Sequence, residues 1–392
     1  MMAGKEMNMI RELLCEQDRV WADETAAKIK AKLDWVSVKS KDKIPYTADE
    51  NGTHDDKSRT DPSWWTNGFW GGMLWLMYRE TGDSKYAGIA AYSEQVLDSC
   101  MEQYYGLHHD VGFMWLPTAV ADYRLTGNAD GRRRGLHAAN LLAGRFNPVG
   151  KFIRAWNDGA WKEGCGNRGW AIIDCLMNIP LLYWASDETH DPRFRQIAML
   201  HADTVMEHFI RPDGSSNHIV EFDAETGAVA ARYGGQGYEE GSSWTRGQSW
   251  ALYGFALSYI HTGKQEYLDT AKRVAHYFIA NIPEDGMIPV DFRQPAQPDY
   301  KDSTAAAIAA CGLIEIAKQV GDLEKGLYLN AALRLLQALD EQCCRYGEDC
   351  DYLVGRGSGS YHENTHEYPI IYGDYFFMEA IFKLAGSDFL IW

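Results

Sequence analysis

The sequence predicts an all-α protein assembled from helical hairpins, and two observations carry that reading. A phrase of aromatic-x-x-Thr-Gly recurs, as Tyr78-Arg-Glu-Thr-Gly82, Tyr123-Arg-Leu-Thr-Gly127 and Tyr259-Ile-His-Thr-Gly263. Glycine directly after a helical run is the usual left-handed stop, so each phrase reads as the turn between two helices. The runs beyond the turns have helical period. Tyr267, Leu268, Ala271, Val274, Ala275, Phe278 and Ile279 share one face, as do Ala305, Ile308, Ala309, Gly312, Leu313 and Ile316.

In chain order, the polar stretch Ser40 to Ser63 reads as a loop ahead of the first turn. Weaker echoes of the turn phrase lie at Tyr183 to Asp187 and near Gly321. The aromatic residues that open the phrases are separated by 45, 60 and 76 residues, room for two helices and a variable loop each. Such units stack as a solenoid or close into a ring. One region argues for strands: His218 to Asp223 and Ala228 to Tyr233, joined by Ala224-Glu-Thr-Gly227, read as a small inserted β-hairpin. No low-complexity linker interrupts the 392 residues, so 1–392 reads as one domain.

With 46% hydrophobic and 24% charged residues the balance is globular, which excludes disorder and collagen-like structure. Lys and Arg number 38 against 55 Asp and Glu, a formal charge of −17 and the wrong sign for gripping a nucleic-acid backbone. The longest apolar-rich stretch, Gly68 to Tyr78, is far short of the ~20 residues that span a bilayer. The opening residues are broken by Lys5, Glu6, Arg11 and Glu12 and hold no signal-peptide core. Eight cysteines, Cys165 among them, form no CxxC pair and are expected to be reduced thiols. A cytoplasmic protein, with neither nucleic acid nor membrane as partner, is expected.

The 14 tryptophans include several beside Gly or polar residues: Trp64, Trp65, Trp156, Trp161, Trp244 and Trp250. An apolar face with a polar tip suits stacking on sugar rings, although core packing is the plainer use. Asp174 is the most informative single residue. On a helix, Trp170, Asp174, Met177 and Leu181 form one row, which sets a carboxylate on an apolar face. Burial there would raise its pKa, as a general acid requires; pairing with an Arg is the structural alternative. Asp110, in His108-His109-Asp110-Val-Gly112, reads either as an N-cap or as a second carboxylate facing Asp174, the equipment of glycosidic chemistry. No HExxH-like spacing supports a metal, and neither metal nor cofactor is expected. The Gly-rich run from Gly234 to Trp250 leads into a helix that puts Arg246 and Trp250 one turn apart, a place for an anionic group or an ordinary salt bridge.

Taken together, Trp64-Trp-Thr-Asn-Gly-Phe-Trp-Gly-Gly, His109-Asp110-Val-Gly-Phe, Arg154-Ala-Trp156-Asn, Ile173-Asp174-Cys-Leu-Met-Asn and Ser243-Trp-Thr-Arg246-Gly-Gln-Ser-Trp250 closely resemble the unsaturated glucuronyl hydrolases of glycoside hydrolase family 88. Matches run from about residue 60 to Tyr372-Gly-Asp-Tyr-Phe-Phe. The resemblance implies an (α/α)6 barrel of six helical hairpins. It also implies the substrate, lyase-generated oligosaccharides, disaccharides above all, with a 4,5-unsaturated uronic acid at the non-reducing end. Water adds across the C4=C5 enol ether, and the resulting hemiketal opens and releases the next sugar. By resemblance, Asp174 is the acid/base and Asp110 the second carboxylate, holding ring hydroxyls and supporting the charge state of Asp174. His109, His218, Gln236, Arg246 and Trp250 match substrate contacts, and Trp64 and Trp156 aromatic walls.

One segment departs from the pattern. Members that prefer sulfated fragments carry Ser with Lys in a C-terminal loop, whereas Gly357 to Thr365 has serines and no Lys, with Arg356 as the neighbouring cation. The rivals are an unsaturated rhamnogalacturonyl hydrolase on the same barrel, a sugar epimerase with pocket histidines, and a carbohydrate-binding toroid without activity. The His-Asp-Val-Gly-Phe and Ser-Trp-Thr-Arg-Gly-Gln segments favour the glucuronyl group over the first, and the presence of both Asp110 and Asp174 argues against the last.

Overall fold

The computed structural model describes residues 9–104, 106–159 and 166–392; Trp161 and Cys165 lie outside the described residues. A short helix α1 (Met9–Leu13) precedes the long α2 (Glu16–Lys39), and the following loop carries the single turn α3 (Lys57–Thr60). Buried and half-exposed helices then alternate. α4 (Asn67–Thr81) returns through α5 (Ser84–Gln103). A composite rod of α6 (Val111–Trp115), a π-helical turn (Leu116–Val120) and α7 (Ala121–Thr126) returns through α8 (Ala129–Ala143). The π turn takes in Pro117, whose missing N–H would break an α-helical ladder. Past the short strands β1 (Phe146–Asn147), β2 (Phe152–Ile153) and β3 (Trp170–Ile172) come a 3-10 turn (Ile173–Met177) and the pair α9 (Pro180–Thr189) and α10 (Pro192–His208). Strands β4 (Ile219–Phe222) and β5 (Val229–Tyr233) precede α11 (Thr245–Thr262) with α12 (Gln265–Ala280), α13 (Ser303–Gln319) with α14 (Asp322–Gln342), and finally α15 (Ile371–Ala385).

The helices buried all round are the inner ones. Thr245–Ser258 of α11, Ser303–Ala317 of α13 and Ile371–Leu384 of α15 are buried on every side. α12, by contrast, buries only the stripe Tyr267, Leu268, Thr270, Ala271, Val274, Ala275 and Phe278, the signature of a surface helix. α4, α6, α9, α11, α13 and α15 touch one another in that order, and α15 touches α4 again. The six hairpins therefore close into an (α/α)6 ring. The sixth hairpin joins opposite ends of the chain, with α2 packed outside α15.

The three Thr-Gly phrases end their helices as expected, with Gly82, Gly127 and Gly263 at positive φ. The echo at Tyr183 to Asp187 is not a turn. α9 runs through it to Thr189, where His190 takes the left-handed position. Near Gly321 the chain does turn, with Gly321 as N-cap of α14. The β-hairpin forms, but β3 adds a third antiparallel strand, pairing Trp170 with Glu221 and Ile172 with Ile219. The expected helix row from Trp170 to Met177 is thus a strand followed by a 3-10 turn, because pairing to β4 supplies the backbone with partners that a helix would otherwise provide. Inside the ring, Lys383 is held between Glu315 (2.9 Å) and Glu379 (2.6 Å), and Trp392 Nε1 donates to Glu379 (2.8 Å). A buried ammonium needs such partners.

Candidate active site

Successive inner helices are separated by one outer return, so all run in the same direction and start at the same end of the ring. That end holds Asn67 of α4, Asp110 ahead of α6, Asn178 ahead of α9, Arg246 of α11, Asp302 ahead of α13 and Tyr372 of α15. Six helix N-termini give this mouth a positive field within an acidic protein, which favours an anionic guest.

Asp110 occupies the N-cap position of α6, yet its side chain caps nothing. Its Oδ1 accepts instead from Asn178 Nδ2 (3.0 Å). The same Nδ2 donates to the Asp174 carbonyl (3.2 Å), and Asn178 Oδ1 accepts from the Phe113 amide (2.8 Å), so one amide side chain ties α6 to the 3-10 turn. A Cβ on Gly112 would lie 2.4 Å from Asn178 Cα, so this approach requires glycine. Asp174 is held on that turn while its neighbours Ile173, Cys175, Leu176 and Met177 go into the core. Its Oδ1 is buried without a hydrogen-bond partner among the described residues, and His218 Nε2 stands 4.0 Å away. The Gln236 amide donates to His218 Nδ1 (3.0 Å), which leaves the ring proton on Nε2, facing Asp174. Gln236 Nε2 in turn donates to the Gly359 carbonyl (2.7 Å).

Burial dominates the electrostatics. It raises the Asp174 carboxyl to about 7 against the pull of Arg246. Asp110 is pushed well above the ordinary carboxylate range by burial and then by the charge of Asp174. The two carboxyls repel each other when charged, so they resist ionising together. Burial and the Arg246 charge lower His218 to about 3, and burial keeps His109 well below its ordinary value, so both rings are neutral. Two carboxyls poised as acids beside neutral imidazoles can donate and recover a proton near neutral pH.

Residues 36–381 match the profile described as Glycosyl Hydrolase Family 88. The chain belongs to that family. It is 38% identical to the unsaturated glucuronyl hydrolase of Bacillus sp. (strain GL1), over 88% of this chain and 91% of that one. It is 35% identical to the unsaturated chondroitin disaccharide hydrolase of Streptococcus pneumoniae, over 85% of this chain and 84% of the other. The crystal structure of the unsaturated glucuronyl hydrolase from Streptococcus agalactiae superposes with a TM-score of 0.85 at 32% identity, covering 97% of this chain and 95% of that one. An aspartate-to-asparagine variant from the same species, complexed with dGlcA-GalNAc6S, superposes at 0.80.

In this family 88 chain the expected residues separate into two groups. Asp110, Asp174, His109, His218 and Gln236 converge, with His109 Nε2 3.4 Å from Asp110 Oδ2. Trp64 and Trp156 are half-buried; Trp64 stands edge-on to Tyr46 (5.5 Å) and Trp156 is tilted against Trp170 (6.3 Å). Arg246 and Trp250 lie deeper, among protein partners. Arg246 is 1% exposed, pairs with Asp302 (2.8 Å) and donates to the Ser358 and Gly359 carbonyls, so its guanidinium holds the 358–359 loop instead of standing open to a sugar. Trp250 is sealed between Phe113 (5.1 Å) and Phe376 (5.5 Å), a floor under the mouth and not a stacking wall. Asn178 and Asp302 are the residues that sequence reasoning missed. Asp302 before Ser-Thr reads locally as an N-cap, which it is, accepting from the Thr304 amide (3.1 Å). Its pairing with Arg246 has no local signal.

Proposed function

We propose that the protein releases the 4,5-unsaturated uronic acid from the non-reducing end of lyase-generated oligosaccharides, with 1–392 acting as one domain and no cofactor taking part. The observation that carries this reading is the buried Asp174 carboxyl, raised to about 7, with Oδ1 unpartnered and opposite the His218 Nε2 proton. The protonated Asp174 gives its proton to C4, and the positive charge left at C5 is shared with the ring oxygen. Water then attacks C5 and returns a proton to Asp174, with His218 Nε2–H supporting the carboxylate in between. The hemiketal opens and frees the next sugar. Asp110, kept neutral by burial, bonds ring hydroxyls together with His109 and Gln236. Trp64 and Trp156 line the sugar faces, and Arg246, lying over the Trp244 ring (4.6 Å), fixes the Gly359 loop.

The relatives support the substrate class, being named for unsaturated glucuronyl and chondroitin disaccharide hydrolysis. Among the described residues no helix is long and apolar enough to cross a membrane. We place the reaction in the cytoplasm, supported by described cysteines that are all free thiols. Turnover in D2O tests the chemistry. Hydration places deuterium at C4 of the uronate product as the ultraviolet absorbance of the conjugated double bond disappears. A product without deuterium at C4 overturns the reading.

A further inference from the structure

His108 meets Asp110 beside His109, and the hydration chemistry gives it no part. Asp110 Oδ2 lies 3.3 Å from His108 Nδ1 and 3.4 Å from His109 Nε2. Neither contact is aligned as a hydrogen bond, and both nitrogens are buried without a partner among the described residues. His109 is wholly buried, and its second nitrogen is unpartnered as well. A buried imidazole nitrogen with nothing to bond is costly, so two such atoms converging on one carboxylate oxygen need an explanation.

Tetrahedral ligands with metal bonds of about 2.0–2.1 Å stand roughly 3.3–3.4 Å from one another, which is the spacing of Oδ2 from the two nitrogens. All three ligand atoms fall within 4.8 Å of each other. The other carboxylate oxygen is fixed by Asn178 Nδ2 (3.0 Å), the kind of outer partner that orients a metal-bound carboxylate. The His108 side chain is 22% exposed, so this edge of the cluster lies close to solvent. The sequence lacks helical ligand spacing, and the convergence comes instead from the turn ahead of α6. We propose that His108, His109 and Asp110 form a site for a transition-metal dication of the Zn2+ type. Two imidazoles with one carboxylate suit such an ion better than Mg2+ or Ca2+.

The ion plays no part in hydration. It occupies Asp110 and so excludes the sugar, a consequence that rests on the role proposed for Asp110, whereas binding itself does not. Calorimetric titration of the full-length protein with ZnCl2 should show one ion per chain, and turnover of an unsaturated disaccharide should fall with ZnCl2 and recover with EDTA. His108→Gln should keep metal-free turnover and lose Zn2+ affinity by roughly 100-fold or more, beyond the ~10–100-fold cost of an outer partner. His109→Gln, checked for an intact melting transition, should lose Zn2+ affinity likewise. A parent protein that takes up no Zn2+, or a His108→Gln variant that binds as tightly as the parent, overturns the site. Zn2+ uptake lost in His108→Gln but without effect on parent turnover supports the site and overturns the role given to Asp110.

Discussion

Replacing Asp174 by Asn keeps the shape of the side chain and removes the proton that must reach C4. General acid–base catalysis contributes roughly 10²- to 10⁴-fold, so turnover of an unsaturated disaccharide, followed by ultraviolet absorbance, should fall by that factor while binding persists. Stability should move the other way. The folded protein holds a proton on Asp174 that the unfolded chain releases between pH 3.8 and about 7. Folding therefore loses stability as pH rises through that window, by about 4 kcal/mol at ~1.4 kcal/mol per pH unit. Asn carries no such charge. The variant should melt close to the parent near pH 4 and above it at pH 8, in thermal scans of one preparation at both pH values. Had Asp174 been the partner of a buried Arg, its loss would destabilise by several kcal/mol, but that Arg is paired with Asp302. Retained turnover, or a variant that melts below the parent at pH 8, would refute the reasoning.

Since Asp174 must begin protonated, kcat/KM should decline as pH rises past about 7; a pH–rate profile flat across that point would contradict the assignment. Arg246→Ala leaves Asp302 buried and unpaired, so denaturant titration should show a loss of roughly 3–5 kcal/mol together with reduced turnover. An unchanged denaturation midpoint would return Arg246 to a direct role on substrate. Arg356 is tied to Glu367 (2.7 Å), which partly neutralises the cation beside the 357–365 loop. Unsulfated chondroitin disaccharide should therefore show the higher kcat/KM, measured against its sulfated counterpart. Heat should unfold the ring in one calorimetric transition, and two separated transitions would contradict a single domain.

The helical ring was legible because its punctuation is local. Thr-Gly stops and 3.6-residue stripes act within a dozen residues, and Gly82, Gly127 and Gly263 fall where the phrases place them. The segment from Trp170 to Met177 was not, since its apolar run satisfies a helix and a strand equally and the choice was made by β4, some fifty residues on. The facing of Asp110 and Asp174 was one of two open readings of the residues, and the place of His218 beside them was readable only through motif resemblance. What eluded both routes was how the site is braced: Asn178 spanning Asp110 and the Asp174 carbonyl, and Asp302 neutralising Arg246, are long-range pairings between residue types that occur everywhere.

A stack of hairpins can grow and fold from one end, whereas a closed ring has to wait. α2 finds its inner partner only once α15 exists, with residues 40–370 between them. The entropy of drawing such distant segments together is modest, since each doubling of a loop adds only ~0.6 kcal/mol, but the delay is imposed by synthesis itself. Until α15 docks, the apolar flanks of α4 and α13 that receive it stay uncovered, an invitation to aggregation or chaperone capture. The chain also acquires its chemistry late, because the mouth where Asp110 and Asp174 face each other is complete only when the last of six helix starts is in place. A half-made ring is therefore an inactive one.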